Sequence, residues 1–435
     1  MPTPSLHNDS SPGRQDDGRV CQARPSGSDA MRQSRKILVY KGDLLPYSET
    51  FIREQVRMLV RWQGVLVGER LLPAGLPLDE LDVRLVGFRR QLLHRLARAC
   101  NRLVTLPPNK PARLRAERAQ LLHVHFGTDA YLIWPVARHL DLPVLVTLHG
   151  YDINTDRQWW ESGRGGFVLR HYPKGLLAIA RDPRVHFIAV SRAIKERAIE
   201  VGIPAEKISI NYIGVDTHSF VPGGPPLAQR NEVLFVGRLV EKKGCRYLIE
   251  AFSQVQERFP DARLVIVGNG PQEPKLRARA QQLGVRVEFA GSLSPREVCE
   301  RLHRARVFCL PSITASNGDA EGLGIVLLEA QAAGVPVITS ARGGADEGIV
   351  HGSTGFAHAE KDVAALRDGL AALLGNDELA TRFGAGGRQH MVQNMDIRDC
   401  VARLETIYDR HVSTCQPVAD SRAFQPGGTR VESLR

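Results

Sequence analysis

The chain has 435 residues, 43% hydrophobic and 24% charged, with a formal net charge of +11 and a pI near 9.5. That length accommodates two domains with full cores, and the basic balance favours anionic partners such as nucleotides, a membrane surface or nucleic acid. Seven scattered cysteines without CxxC or metal-ligand spacing argue against a disulfide framework or a zinc site; with no apolar run near the ~18 residues that cross a bilayer and no secretory signal core, a cytoplasmic location is expected.

Residues 1–34 are rich in Ser, Pro, Gly, Asp and Arg and read as a disordered tail, as do residues 413–435. Arg35–Tyr40 reads as a first buried strand. It runs into Lys41-Gly42-Asp43 and then Ser48-Glu49-Thr50-Phe51-Ile52, where Ser48 is a candidate helix cap and Phe51 opens the apolar face. Further strands are expected at Gly64–Gly68, Leu121–Phe126, Val144–His149, His186–Ser191 and Lys207–Ile213. Ser191 is placed to cap a helix through Ile199. This alternation predicts a parallel sheet covered on both faces. Two strand tips carry histidine, at His123-Val-His125 and at His149-Gly150-Tyr151-Asp152. A lone histidine is more often packed than catalytic. His149, at a strand's carboxyl end beside a glycine and near an aspartate, is the better placed.

Arg84–Arg118 is the most basic stretch, with Arg89, Arg90, Arg95, Arg98, Arg102, Lys110, Arg113 and Arg115 among leucines at roughly helical spacing. An amphipathic helix lying on an anionic membrane and an ordinary helix with a solvated arginine face are equally good readings. Nucleic-acid binding is not expected, because no aromatic interleaving or recognition signature accompanies the charge.

Pro222–Pro226 breaks the pattern and marks a linker, so the division is 35–221, linker 222–230, 231–395, and a closing helix over 396–412. Strands in the second half are expected at Glu232–Gly237, Leu264–Gly268, Val287–Ala290, Val307–Leu310 and Val335–Thr339. Two such α/β units joined by a hinge leave a cleft between them.

The second half carries the chemistry. Gly237-Arg238 and Lys243-Gly244 follow its first strand and suit a diphosphate, arginine as a forked donor and lysine as a compact charge. Val267-Gly268-Asn269-Gly270-Pro271 is a tight turn near where a nucleotide base can sit. Neither a P-loop nor a Gly-x-Gly-x-x-Gly fingerprint is present, and no Asp-x-Asp pair offers to hold a metal, so no cofactor and no metal are expected. Glu321-Gly322-Leu323-Gly324-Ile325 then leads through an apolar run to Glu329, with Gly334 and Pro336 closing the segment. A helix starting near Gly324 points free amides and a positive dipole end at an anion, with a carboxylate on either side for sugar hydroxyls. That arrangement suits a nucleotide-diphosphate sugar.

These pieces, in this order, resemble family 4 of the retaining glycosyltransferases, which have the GT-B fold: two Rossmann-like, doubly wound parallel-sheet domains facing a cleft. The resemblance covers about residues 36–410 and rests on Glu321-x7-Glu329 with Gly237-Arg238 and Lys243-Gly244, supported by Ser48-Glu-Thr-Phe-Ile, His149-Gly-Tyr-Asp and Gly214-Val-Asp. Ser48-Glu-Thr-Phe-Ile and the loop Pro311–Glu321 look closest to the branch that builds bacterial exopolysaccharides such as colanic acid or amylovoran. The resemblance implies that Arg238 and Lys243 hold the donor diphosphate. Glu329 takes the ribose, Glu321 takes the transferred sugar beside the amides of Gly322–Ile325, and His149 supports the reacting centre. It also implies metal-independent transfer to a glycan or lipid-linked acceptor held by the N-terminal domain. A basic helix could then dock the enzyme on the inner membrane face. A non-catalytic nucleotide-sugar or polysaccharide binding protein on the same scaffold is the alternative. Leu323 stands where the family often has an aromatic residue.

Overall fold

The computed structural model describes residues 35–73, 75–87, 109–340 and 343–415, so the N-terminal tail, residues 88–108 and most of the C-terminal tail lie outside the described residues. Two parallel sheets form the frame. The first holds β1 (Arg35–Tyr40), β2 (Trp62–Gly68), β3 (Asp82–Leu85), β4 (Leu121–His125), β5 (Val144–Leu148), β6 (Val185–Ala189) and β7 (Ile208–Ile210), in the order 3-2-1-4-5-6-7. The second holds β8 (Glu232–Val236), β9 (Arg263–Val267), β10 (Val287–Gly291), β11 (Ala305–Leu310), β12 (Val337–Ser340) and β13 (Gly355–His358), in the order 10-9-8-11-12-13. A two-residue pair, Asp43–Leu44 with Arg70–Leu71, lies apart from both.

Strands covered by helices on both faces have no polar side, so they read as unbroken apolar runs. Every residue of β4, β5, β11 and β12 is buried. The exception inside β11 is Arg306, whose Nε donates to the Leu373 carbonyl at 2.8 Å while Asp377 neutralises it. In both sheets the chain leaves the centre in opposite directions from neighbouring strands, β1 and β4 in one and β8 and β11 in the other. Such a reversal opens a crevice outside the carboxyl ends, the usual ligand position in doubly wound sheets.

The last helix, Ile397–Cys415, returns to the first sheet. Glu405 accepts the backbone N–H groups of Val60, Arg61 and Trp62 at 2.7–3.1 Å, and Asp409 accepts from the Trp62 indole at 2.9 Å. Gly214, at φ +80°, lies where an added Cβ would meet Ile397 at 2.9 Å, and Arg398 pairs with Asp216 at 2.8 Å. The chain therefore crosses between the sheets twice, side by side.

Two expectations change. Ser48 caps nothing: the helix starts at Thr50 with Glu49 in the capping position and no side-chain cap bond, because a short 3-10 turn over Tyr47–Glu49 precedes it. The basic stretch is not one helix where it is described. Arg84 sits on β3 and pairs with Asp82 and Glu117, and only Asn109–Ala116 is helical, with Lys110 bound to Glu69. The membrane reading rests mainly on Arg89, Arg90, Arg95, Arg98 and Arg102, which lie outside the described residues. No helix among the described residues is long and apolar enough to cross a membrane.

Candidate active site

The crevice of the second sheet is built from the loops after β8 and β11. After β8 the chain turns through Gly237 and Arg238 into a 3-10 turn, Glu241–Lys243, ended by Gly244 at φ +62°. A Cβ there would lie 1.7 Å from the Pro311 carbonyl, so only glycine lets this turn press on the loop after β11. The contact delivers two lysines to two acids. Lys242 Nζ lies 3.0 Å from Asp319, and Lys243 Nζ lies 2.5 Å from Glu321, which also accepts from the Ser312 hydroxyl at 3.4 Å. Burial alone would push the Glu321 carboxyl up. Lys243 and Lys242 overturn that and hold it at about 2. Burial in turn pushes Lys243 below its ordinary value, opposed by the charge of Glu321. Arg238 is exposed and has no ion-pair partner among the described residues; its charge acts on Asp319 and Glu321 in its own half and on Glu49 and Tyr151 in the other.

The turn at Asn269–Gly270 is stitched to this loop. Leu239 N–H donates to the Asn269 carbonyl at 2.9 Å, and Gly268 packs where a Cβ would lie 2.0 Å from the Gly237 carbonyl.

Between Glu321 and Glu329 the chain bends at Gly324, at φ +71°, and then forms the helix Ile325–Ala332. In its first turn the Leu327 N–H donates to the Gly324 carbonyl at 2.8 Å, while the amides of Ile325 and Val326, which follow Glu321 closely in the chain, come too early for an intrahelical acceptor. Gly334, at φ +73°, ends it: Gly334 N–H donates to Gln331 and Val335 N–H to Ala330, both at 2.9 Å, the pairing of a Schellman stop. Glu329 sits on this helix, partly buried, with no cation in pairing range among the described residues. Burial raises its carboxyl to about 7. It lines a cleft of about 590 Å³, with Ile325, Arg296 and Cys299 on its own side and Phe51 and Arg57 on the other. Arg238, Lys243, Glu321 and Asn269 do not line that cleft. Leu323 is buried and packs with the core of the first half.

The first half approaches at β5. Asp152 accepts the N–H groups of Gly127, His149 and Gly150 at 2.7–3.0 Å and so binds the tips of β4 and β5 together. Burial raises its carboxyl to about 6 against those three bonds. His149 Nε2 lies 3.0 Å from His125 Nδ1, and the rings of Phe51 and Phe126 pack on it at 4.9 and 4.4 Å. Burial first, with His123 and Lys41, pushes its pKa well below the usual value and leaves a neutral imidazole. A Cβ on Gly322 would lie 2.0 Å from the His149 carbonyl. The backbones of His149 and Gly322 therefore press together where the two halves meet. Glu347 fastens that approach from behind, accepting the Arg192 and Ala193 amides at 2.9 and 2.8 Å at a helix start in the other half.

Arg238, Lys243, Glu321, Gly322–Ile325 and His149 thus converge, with Glu329 along the groove and Asn269–Gly270 behind Arg238. Sequence reasoning did not single out Ser312, Lys242 with Asp319, or Glu347. Lys242 had a signal in its place beside Lys243. Glu347 had none, since its partners lie 154 and 155 positions away.

Residues 49–219 match the family model described as Glycosyltransferase Family 4, and residues 224–390 match that described as Glycosyl transferases group 1. A mannosyltransferase of Mycobacterium tuberculosis (strain CDC 1551 / Oshkosh), described as GDP-mannose-dependent and acting on phosphatidylinositol monomannoside, is 34% identical over 304 residues, 66% of this chain and 76% of that protein. A protein of Escherichia coli K12 named as the colanic acid biosynthesis glycosyltransferase WcaL is 34% identical over 272 residues, 60% of this chain and 64% of its own length. Among solved structures, Anabaena Alr3699/HepE in complex with UDP-glucose superimposes with a TM-score of 0.70 at 19% identity, covering 86% of this chain and 99% of that one, which shows the same two-sheet fold.

Proposed function

This chain belongs to family 4 of the glycosyltransferases, and from that premise we propose a retaining, metal-independent hexosyltransferase. It moves a sugar from a nucleotide-diphosphate donor to a glycan or lipid-linked acceptor, in the cytoplasm, for cell-surface polysaccharide. The observation that carries this reading is the pairing of Lys243 with Glu321 just ahead of a helix start, within reach of the charge of Arg238, with Glu329 on that helix lining the cleft. The names of the relatives, with their GDP-mannose and colanic acid, support a hexose and a surface polysaccharide.

In this account Lys243 exchanges Glu321 for a phosphate oxygen as the donor arrives. Arg238 takes a second oxygen, and the amides of Gly322–Ile325 lie alongside. Released from the lysine, Glu321 accepts hydroxyls of the transferred sugar, while Glu329 accepts those of the ribose and Asn269–Gly270 borders the base. As the glycosidic bond breaks, negative charge grows on the diphosphate and positive charge on the sugar ring. The two cations stabilise the first. The neutral imidazole of His149 adds no repulsion to the second. Glu321, taken up by hydroxyls of the transferred sugar, does not take the acceptor's proton. The proton passes instead to an oxygen of the departing diphosphate, which places acceptor and leaving group on one face and retains configuration.

The test is turnover of GDP-mannose, UDP-glucose and UDP-galactose by EDTA-treated protein, read as released nucleotide, with the product's anomeric configuration read by NMR. An α-linked product from an α-linked donor, without added metal, is expected. An inverted product, or activity restored only by a divalent ion, overturns the reading.

A further inference from the structure

The crevice of the first sheet holds a charge cluster that the donor chemistry leaves unused. It lies where the chain leaves β1 and β4 in opposite directions. Lys41, just after β1, is buried, and its Nζ lies 3.1 Å from Asp129 and 3.7 Å from Glu49. Asp129, on the helix after β4, also accepts the Gly42 N–H at 3.2 Å. The ammonium sits 5.2 Å from the centre of the Phe126 ring, which also packs on His149 at 4.4 Å. The cluster is thus one ring away from His149, whose backbone presses on Gly322.

Two carboxylates share one ammonium, and they are not used alike. Asp129 has the shorter ion pair and the backbone bond. Glu49 has only the longer contact. It occupies the capping position of the helix Thr50–Arg57 yet makes no cap bond, and its Oε2 is buried without a hydrogen-bond partner. A buried oxygen left without a partner in a native fold calls for an explanation, and beside a sheet's crevice, where ligands bind, a ligand hydroxyl supplies one. The next two residues, Thr50 and Phe51, line the cleft that Glu329 lines from the other side.

We propose that Glu49 is an acceptor-binding residue, whose unpartnered Oε2 takes a hydroxyl of the incoming sugar while the Lys41–Asp129 pair holds the carboxylate in place. This deepens the glycosyltransferase reading and rests on it. The charged groups facing Glu49 are Lys41, Asp43 and Asp129 from its own half and Arg238 from the other; Asp43 is itself paired with Arg70. Burial first, then the neighbouring acids, outweigh the two cations and raise the carboxyl to about 7. The ionised form is the better hydroxyl acceptor, so acceptor affinity strengthens as pH rises from 6 to 8.

The experiment compares wild type with Glu49→Gln and Glu49→Asp, using the donor that wild type turns over and a panel of octyl glycosides of glucose, galactose and mannose. Acceptor KM is expected to rise about tenfold in Glu49→Gln, the scale of one hydrogen bond to a charged group, with its pH dependence lost. Donor KM stays put, and thermal stability is unchanged or higher, because a surplus buried acid has gone. Glu49→Asp keeps the charge and shortens the reach, so it too raises acceptor KM. An unchanged acceptor KM, a parallel rise in donor KM, or a lowered melting temperature with normal acceptor KM overturns the proposal, the last by marking a structural ion pair. Transfer to no glycoside by an enzyme that hydrolyses donor also overturns it, since the carboxylate asks only for a sugar hydroxyl. A wild type without any donor turnover sinks the glycosyltransferase reading instead.

Discussion

The two crevices of this molecule have the same topology and opposite electrostatics. In the second half, two lysines are matched to two acids and Arg238 is left over, so the surplus is positive. In the first half, one lysine meets two acids beside uncharged histidines, so the surplus is a carboxyl group that turns negative as pH rises through about 7. One strand order therefore makes two different sites, because side chains at strand tips, not the sheet, decide what is held. A surplus cation suits a diphosphate, and a surplus carboxylate suits hydroxyls.

The sharpest way to break that contrast is to remove the positive surplus. Arg238→Ala and Lys243→Ala are each expected to lower kcat/KM by about 10² to 10³, as loss of one transition-state donor does, without change in the far-UV circular dichroism. Full activity in either variant dissolves the difference between the crevices. Glu329→Gln sharpens it more gently. On the proposed role of Glu329 as the ribose acceptor, donor KM should rise about tenfold. Stability moves the other way. The raised carboxyl binds a proton in the folded chain at pH values where the unfolded chain has lost it, so stability falls as pH climbs from about 4.5 to about 7. The isosteric amide escapes that loss. Its melting temperature should exceed wild type by about 1–2 °C at pH 8 and match it at pH 4. A lower melting temperature at pH 8 would place a hidden partner on Glu329.

How much of this was legible follows from what is local. The strands were, because burial on both faces turns each into an apolar run, as in Leu121–His125 and Val144–Leu148. The helix between Glu321 and Glu329 was too, since its start at Gly324 and its stop at Gly334 need glycine. Pairings across the fold were not. Nothing in Lys243 announces a bond to a residue 78 positions on. The start of the first helix misled for the same reason: Ser48 has the chemistry of a cap, yet it is exposed, and the neighbour that matters, Glu49, is defined by Lys41 and Asp129 from two other segments. Asp152 was noticed only as a neighbour of His149. Its hold on Gly127, 25 positions back, makes it the tie between two strand tips.

The most direct measurement is a crystal structure with an intact or non-hydrolysable nucleotide sugar bound. The account predicts that Lys243 Nζ leaves Glu321 and comes to about 3 Å from a phosphate oxygen, with Arg238 on the same diphosphate and Glu321 turned to the sugar. A donor bound while the Lys243–Glu321 pair stays intact and Arg238 faces solvent would contradict it.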